Sequence, residues 1–172
     1  TFTSTINNIR TVFWVLREDS SNPGNTAFLL GDSAGATTDF HRDSTSGPIF
    51  SAASASANVT GGTLQLNAVG VTGTTENMPT SESVLSLVTT GNVTADSFSQ
   101  DRISCCSGRT WGGFASEIII FNRALSAVEV ADVENYLMLK WGITASATQW
   151  TGGTDTNWFL GSNWTNGVPN AT

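Results

Sequence analysis

Cysteine occurs only at Cys105 and Cys106, which are neighbours in the chain. Adjacent thiols can close into a vicinal disulfide, pair between chains, or remain as two small apolar residues. Strand alternation would send their side chains to opposite faces, so a ring demands an irregular turn. The Cys-x-x-Cys spacing of thiol redox catalysts is missing. Arg109 and Trp111 follow at once in a glycine-flanked loop. An indole stacks on the apolar face of a sugar while a guanidinium donates to its hydroxyls, so this pair is a candidate glycan contact. Packing of Trp111 beneath its own loop is the structural alternative. His41 is the only histidine, in the loop Asp39-Phe40-His41-Arg42-Asp43. One histidine supports neither a catalytic triad nor a histidine-based zinc site. His41 and Asp39 can line a polar binding site, or the loop is a salt-bridge cluster.

Carboxylates are the remaining route to catalysis. Glycoside hydrolysis needs two of them about 5–5.5 Å apart for retention, or about 6.5–9.5 Å for inversion. Glu117 is the one acid inside a strong apolar strand, and it has no second acid two residues away. Asp101, on the preceding strand, is the partner to test. A structural Glu117, paired with Arg123 or Arg102, is the simpler reading. Glu129 and Asp132 fall in the first turns of a helix, where acids favour the macrodipole. Glu134 reads as solvated. The sequence therefore predicts no enzyme.

These residues hang on a short set of elements. Thr11–Arg17 (TVFWVLR) is apolar on both faces, with Val12, Trp14 and Leu16 one way and Phe13 and Val15 the other, as in a strand flanked on both sides. A Pro23-Gly24 turn leads to a short strand over Ala27–Leu30, which predicts a hairpin with the first. Further strands are expected at Pro48–Ala52, at Thr63–Val69 with Leu64, Leu66 and Ala68 on one face, at Val84–Val88 turned by Gly91-Asn92, at Phe98–Ser104, and at Phe114–Phe121 with both faces covered. A helix is expected over 126–141. Ser126 and Glu129 form a capping box, Leu125 and Val130 a hydrophobic staple, and Gly142 stops it. Val130, Val133, Leu137 and Trp141 make its apolar stripe. Many short strands with one late helix indicate an all-β, two-sheet antiparallel sandwich.

Composition narrows the partners. Charged residues make up 12% of the 172, and the net charge is −7. Nucleic acid, which needs clustered Lys and Arg, is excluded as a partner. No apolar run is long enough to span a membrane, so membrane insertion is not expected. Hydrophobic content of 39% with mean hydropathy −0.03 supports a globular core. Thr1 is not a natural start, so the chain reads as a processed or excised piece of a longer protein. After Ile143 the character changes to a small, polar linker and a tryptophan-rich tail, so residues 1–143 are read as one domain and 144–172 as linker and tail or the start of a following repeat.

IFNRALSAVEVADVENYLMLKWGI, preceded by WGGFASEI, resembles the C-terminal signature of laminin-G-like, concanavalin A-type jelly-roll domains of large exported bacterial surface proteins. TVFWVLR and AFLLGD resemble the early paired strands of that family, and WTGGTDTNW…NWTNGVP is similar to autotransporter-associated repeats. The resemblance implies a concanavalin A-like jelly roll with one C-terminal helix, extracellular or at the cell surface, acting as a non-catalytic carbohydrate-binding or adhesion module. It also allows calcium at a rim of oxygen ligands, with Asp32, Asp39 and Asp43 as candidates. Implied partners are glycans or neighbouring surface-protein domains. Family members usually carry strands before the TVFWV-like one, so an open sheet edge and self-association through it are expected. The alternative function is a self-assembling subunit or spacer of an extracellular fibre or surface layer. A glycoside hydrolase or lyase is the least favoured.

Overall fold

A strand that is apolar on both faces must be covered on both, and the TVFWVLR run meets that requirement. The computed structural model describes residues 1–24, 29–34, 37–42, 47–106, 108–144 and 156–157. In it β1 (Ile6–Glu18) lies between β5 (Ser83–Ala95) and β7 (Gly113–Phe121), antiparallel to both. With β3 (Thr63–Leu66) and β4 (Val69–Val71) they form a five-stranded sheet in the order β4-β3-β5-β1-β7. A second, two-stranded sheet pairs β2 (Leu30–Gly31) with β6 (Ser97–Phe98). Among the described residues the helices are two single turns, α1 (Ala57–Thr60) and α2 (Ile103–Cys106), and one long helix, α3 (Ala127–Trp141). The β-rich class expected from the sequence is what the chain forms.

The alternation in β1 separates two cores. Val12, Trp14 and Leu16 join Leu29, Leu30, Phe40, Ile49, Phe50, Leu85 and Leu87 on the face covered by loops and the small sheet. Phe13 and Val15 join Val84, Leu125, Val130, Leu137 and Met138 on the face covered by α3. Ile118 and Ile120 of β7 turn to the first core, and Ile119 and Phe121 to the second. All four are only half-buried, because β7 is an edge strand.

Helix α3 begins and ends as its sequence dictates. Ser126 Oγ accepts from the Glu129 N–H while the Glu129 carboxylate accepts from the Ser126 N–H, the reciprocal capping box. Leu125 and Val130 are both buried in one cluster, completing the staple. At the other end Gly142 adopts φ 65°, and the N–H groups of Gly142 and Ile143 return to the carbonyls of Leu139 and Met138. The β7–α3 turn is fixed from below by Thr11. Its hydroxyl donates to the Arg123 carbonyl at 2.9 Å and accepts from the Leu125 N–H at 3.1 Å.

Five local expectations are corrected. The expected hairpin between the first strand and Ala27–Leu30 does not appear among the described residues, which include Leu29 and Leu30 of that stretch but not 27–28: β1 is occupied on both sides, and Leu30 pairs with Phe98. The Thr63–Val69 strand breaks at Asn67 and Ala68, whose φ values of 51° and 65° make the two-residue loop of a tight hairpin closed by Leu66 and Val69. Asn67 tolerates that conformation because its Oδ1 accepts from the Val84 N–H at 2.8 Å. Ala68 consequently turns to the α3 side, away from Leu64 and Leu66. Gly91-Asn92 does not end a strand, since β5 runs through it, with the irregularity absorbed as register shifts against β1. Phe98–Ser104 is not one strand either, because Ser99 takes φ 56° and the chain enters α2. At Pro48–Ala52 only an isolated bridge forms, Pro48 to Asn77.

Among the described residues no helix is long and apolar enough to cross a membrane. The tail expected over 144–172 lies outside the described residues except for Thr144, Thr156 and Asn157.

Candidate functional site

The segment from Ser99 to Trp111 closes on itself. At its base Ser99 Oγ donates to the Trp111 carbonyl and accepts from the Trp111 N–H, both at 2.9 Å. Within it the Asp101 N–H donates to the Arg109 carbonyl, that of Arg109 to Cys106, and that of Cys106 to Arg102. Ile103 N–H reaches across to the Ser33 carbonyl. Neighbouring glycines let the chain pass close by. A Cβ on Gly24, at φ +86°, would sit 2.1 Å from the Thr110 carbonyl oxygen, and one on Gly31 would sit 1.7 Å from that of Gln100.

Cys105 and Cys106 are joined as a vicinal disulfide. The irregular turn such a ring demands is the single helical turn α2, in place of the expected strand. Asp101, fully buried, is the electrostatic centre of the loop. Its Oδ1 accepts from the Arg102 N–H at 2.6 Å and from Arg102 Nε at 3.0 Å. Its Oδ2 accepts from Arg109 Nη1 at 3.4 Å. Two guanidinium groups on one carboxylate leave one positive charge in excess, on side chains 24% and 38% exposed. Beside them lie Cys105, which is exposed, and Ile103, 58% exposed. The loop thus offers a small apolar surface next to guanidinium donors in a chain that is otherwise acidic.

Trp111 is 6% exposed. Its ring meets Phe98 edge to face at 5.9 Å between centroids. A Cβ on Gly113 would overlap its six-membered ring at 2.4 Å, so that glycine makes room for the indole. The structure realises the packed alternative for Trp111 and leaves no open face for a sugar to stack on. Arg109 remains at the surface.

His41 and Asp39 are held elsewhere in the loop system. His41 is buried, its N–H donating to the Thr38 carbonyl and its carbonyl accepting from Ser51. Asp39 Oδ2 accepts from the Thr94 N–H at 2.8 Å. The salt bridge in this segment is made by Arg42. Its guanidinium pairs with Glu18 and also donates to the carbonyls of Pro48 at 2.9 Å and Gly47 at 2.8 Å. Asp32 Oδ2 accepts from Thr37 Oγ1 at 3.0 Å, and Asp43 lies outside the described residues. Among the described residues no group of three or more His, Cys, Asp or Glu side chains is placed to hold a metal ion.

The acids have structural partners. Hydrogen bonds from Lys140 (2.9 Å) and from Trp141 Nε1 (2.8 Å) hold the Glu117 carboxyl below its usual range. These partners replace the expected Arg123 or Arg102. Arg123 instead forks onto Glu129 at 3.0 and 2.7 Å, which with the Ser126 cap pulls Glu129 down to about 2. Burial alone would raise Asp96, but the N–H groups of Ser33 and Ala34 and the hydroxyls of Ser33 and Ser97 outweigh it and keep that carboxyl low.

Glu134 is the residue that sequence reasoning misplaced. It is 1% exposed, not solvated, and it accepts from Ser86 Oγ at 2.5 Å. The signal was present: Glu134 stands four residues after Val130 and three before Leu137, on the apolar stripe itself. Burial raises its carboxyl pKa, partly offset by the Ser86 hydrogen bond.

No protein-family model, no curated protein and no solved structure matches this chain. What fold and site define is a β-rich module with an arginine-bearing surface loop that carries a vicinal disulfide.

Proposed function

We propose that the chain is a non-catalytic glycan-binding or adhesion module of an exported cell-surface protein, with a laminin-G-like, concanavalin A-type jelly roll as its fold. The observation that carries this reading is the 99–111 loop. Its exposed disulfide and Ile103 suit the C–H face of a sugar ring, and Arg102 and Arg109 supply donors for hydroxyls. The excess positive charge favours a carboxylate-bearing sugar, since guanidinium recognises carboxylate in a bidentate manner. A vicinal disulfide persists in an oxidising compartment, which supports an extracellular or cell-surface location. The two acids considered for hydrolysis, Glu117 and Asp101, are each engaged by cations, which supports a binding role over catalysis. The capped strand–helix unit and the small sheet opposite α3 support the jelly-roll reading.

An array of neutral and uronate-containing glycans probed with wild type, Arg109→Ala and Ile103→Ser tests this. Binding to acidic glycans that weakens in both variants is expected, and silence on every glycan would remove the reading. The second reading is self-assembly. The nine-residue β7 ends the sheet, with no described strand on its outer side, and an unpaired edge is a template for strand addition. Concentration-dependent light scattering together with glycan silence would favour it.

A further inference from the structure

Between the first turn of α3 and the β3–β5 part of the sheet lies an open cleft of about 150 Å³. Val88, Leu125 and Val130 make its apolar wall, Gln65 and Ser86 its polar end, and Ala127 is at its mouth. Behind the polar end stands Glu134. Ser86 spends its hydroxyl hydrogen on Glu134. With its carboxamide oriented to satisfy both atoms, Gln65 Nε2 donates to the two Glu134 oxygens at 3.0 and 3.2 Å. Both neighbours have therefore used a donor hydrogen on the acid, and their own oxygens remain as acceptors. No cation pairs with Glu134 among the described residues. A buried carboxylate met only by neutral donors lacks the countercharge that would offset its desolvation.

We propose that this cleft binds a short aliphatic ammonium, its alkyl chain against Val88, Leu125 and Val130 and its N–H donors on the oxygens of Ser86 and Gln65, in front of Glu134. The size is compatible: a cavity of about 150 Å³ accommodates a molecule as large as benzene. The chemistry is selective, because an acceptor-lined end backed by a carboxylate favours a cation, admits an alcohol weakly, and repels an anion. This site is independent of the 99–111 loop and does not rest on the glycan reading.

The test is a titration of the isotopically labelled protein with n-butylammonium, n-butanol and butyrate, following the amide signals of Gln65, Ser86 and Ala127. Saturable shifts are expected with the ammonium, with affinity about tenfold or more above the alcohol, the scale of a hydrogen bond to a charged group. Butyrate should leave these signals in place. Ala127→Leu, at an exposed helix position, should close the mouth and abolish the shifts, and E134Q should bring the ammonium down to the level of the alcohol. Equal responses to all three probes, no saturable response to the ammonium, or shifts that persist in Ala127→Leu would overturn the proposal. Because the comparison of probes is made on wild type, it stands whether or not E134Q folds.

Discussion

Replacing Arg42 by methionine is the sharpest test of how the loop face is held. The guanidinium is 1% exposed and its partner Glu18 6%. It ties β1 to the Gly47–Pro48 turn through one carboxylate and two carbonyls. Methionine fills a similar volume but leaves Glu18 buried without its cation. Removing one partner of a buried pair costs roughly 3–5 kcal/mol. At roughly 2–4 °C per kcal/mol for a domain of this size, the melting temperature should fall by roughly 6–20 °C. Urea unfolding followed by tryptophan fluorescence measures the free-energy loss and a thermal melt the temperature shift, Trp14 being fully buried and a reporter of the same core. The midpoint should drop with the slope unchanged. Glu18→Leu combined with Arg42→Met should restore most of the loss, because two apolar groups carry no desolvation penalty. A single-variant loss below about 0.5 kcal/mol, the range of ordinary surface substitutions, would refute the reasoning. So would a double variant as unstable as the sum of its parts.

Thr11→Val deletes the hydroxyl that serves both the Arg123 carbonyl and the Leu125 N–H, and should cost about 1–3 kcal/mol by leaving buried backbone groups unpaired; chemical denaturation reads it directly. Glu134→Gln tests the buried acid through pH. Its folded pKa is raised by burial, so the native state binds more protons than the unfolded one, and stability falls as pH rises from the unfolded carboxyl value through the folded one. The amide removes that decline, and the stability difference between variant and wild type should grow in favour of the variant across that window, in thermal melts at stepped pH. The depressed carboxyls of Asp96 and Glu117 act in the opposite sense, contributing stability that is lost as pH falls through their folded values. They are common to both proteins and cancel in the difference.

Local signals were legible wherever a short stretch determined its own structure. The Ser126–Glu129 box, the Leu125–Val130 staple and the left-handed Gly142 were readable because each is closed within a few residues. The two-faced pattern of β1 was readable because burial on both sides leaves no polar alternation. Pairing was harder. The Pro23-Gly24 turn suggested a hairpin, but β5 and β7, each about seventy residues or more further along, took both edges of β1. The break of β3 at Asn67 rests on a side chain reaching Val84, a contact that no window of sequence contains. At the site, the two cysteines stood out by their adjacency, and Arg109 by its place beside Trp111 in a glycine-flanked loop. Asp101 was considered only as an acid for catalysis, and its role as anchor for two arginines appears once the loop closes. Trp111 was drawn to the surface by its glycine neighbours, whereas Gly113 serves to bury it.

The central claim is that the 99–111 loop is a glycan-contacting surface. The most direct measurement is titration of the oxidised protein with a uronate-containing oligosaccharide, following the amide signals of Ile103, Cys105 and Arg109. The account predicts saturable shifts confined to that loop and lost in Arg109→Ala. Shifts absent there, or unchanged in Arg109→Ala, would contradict it.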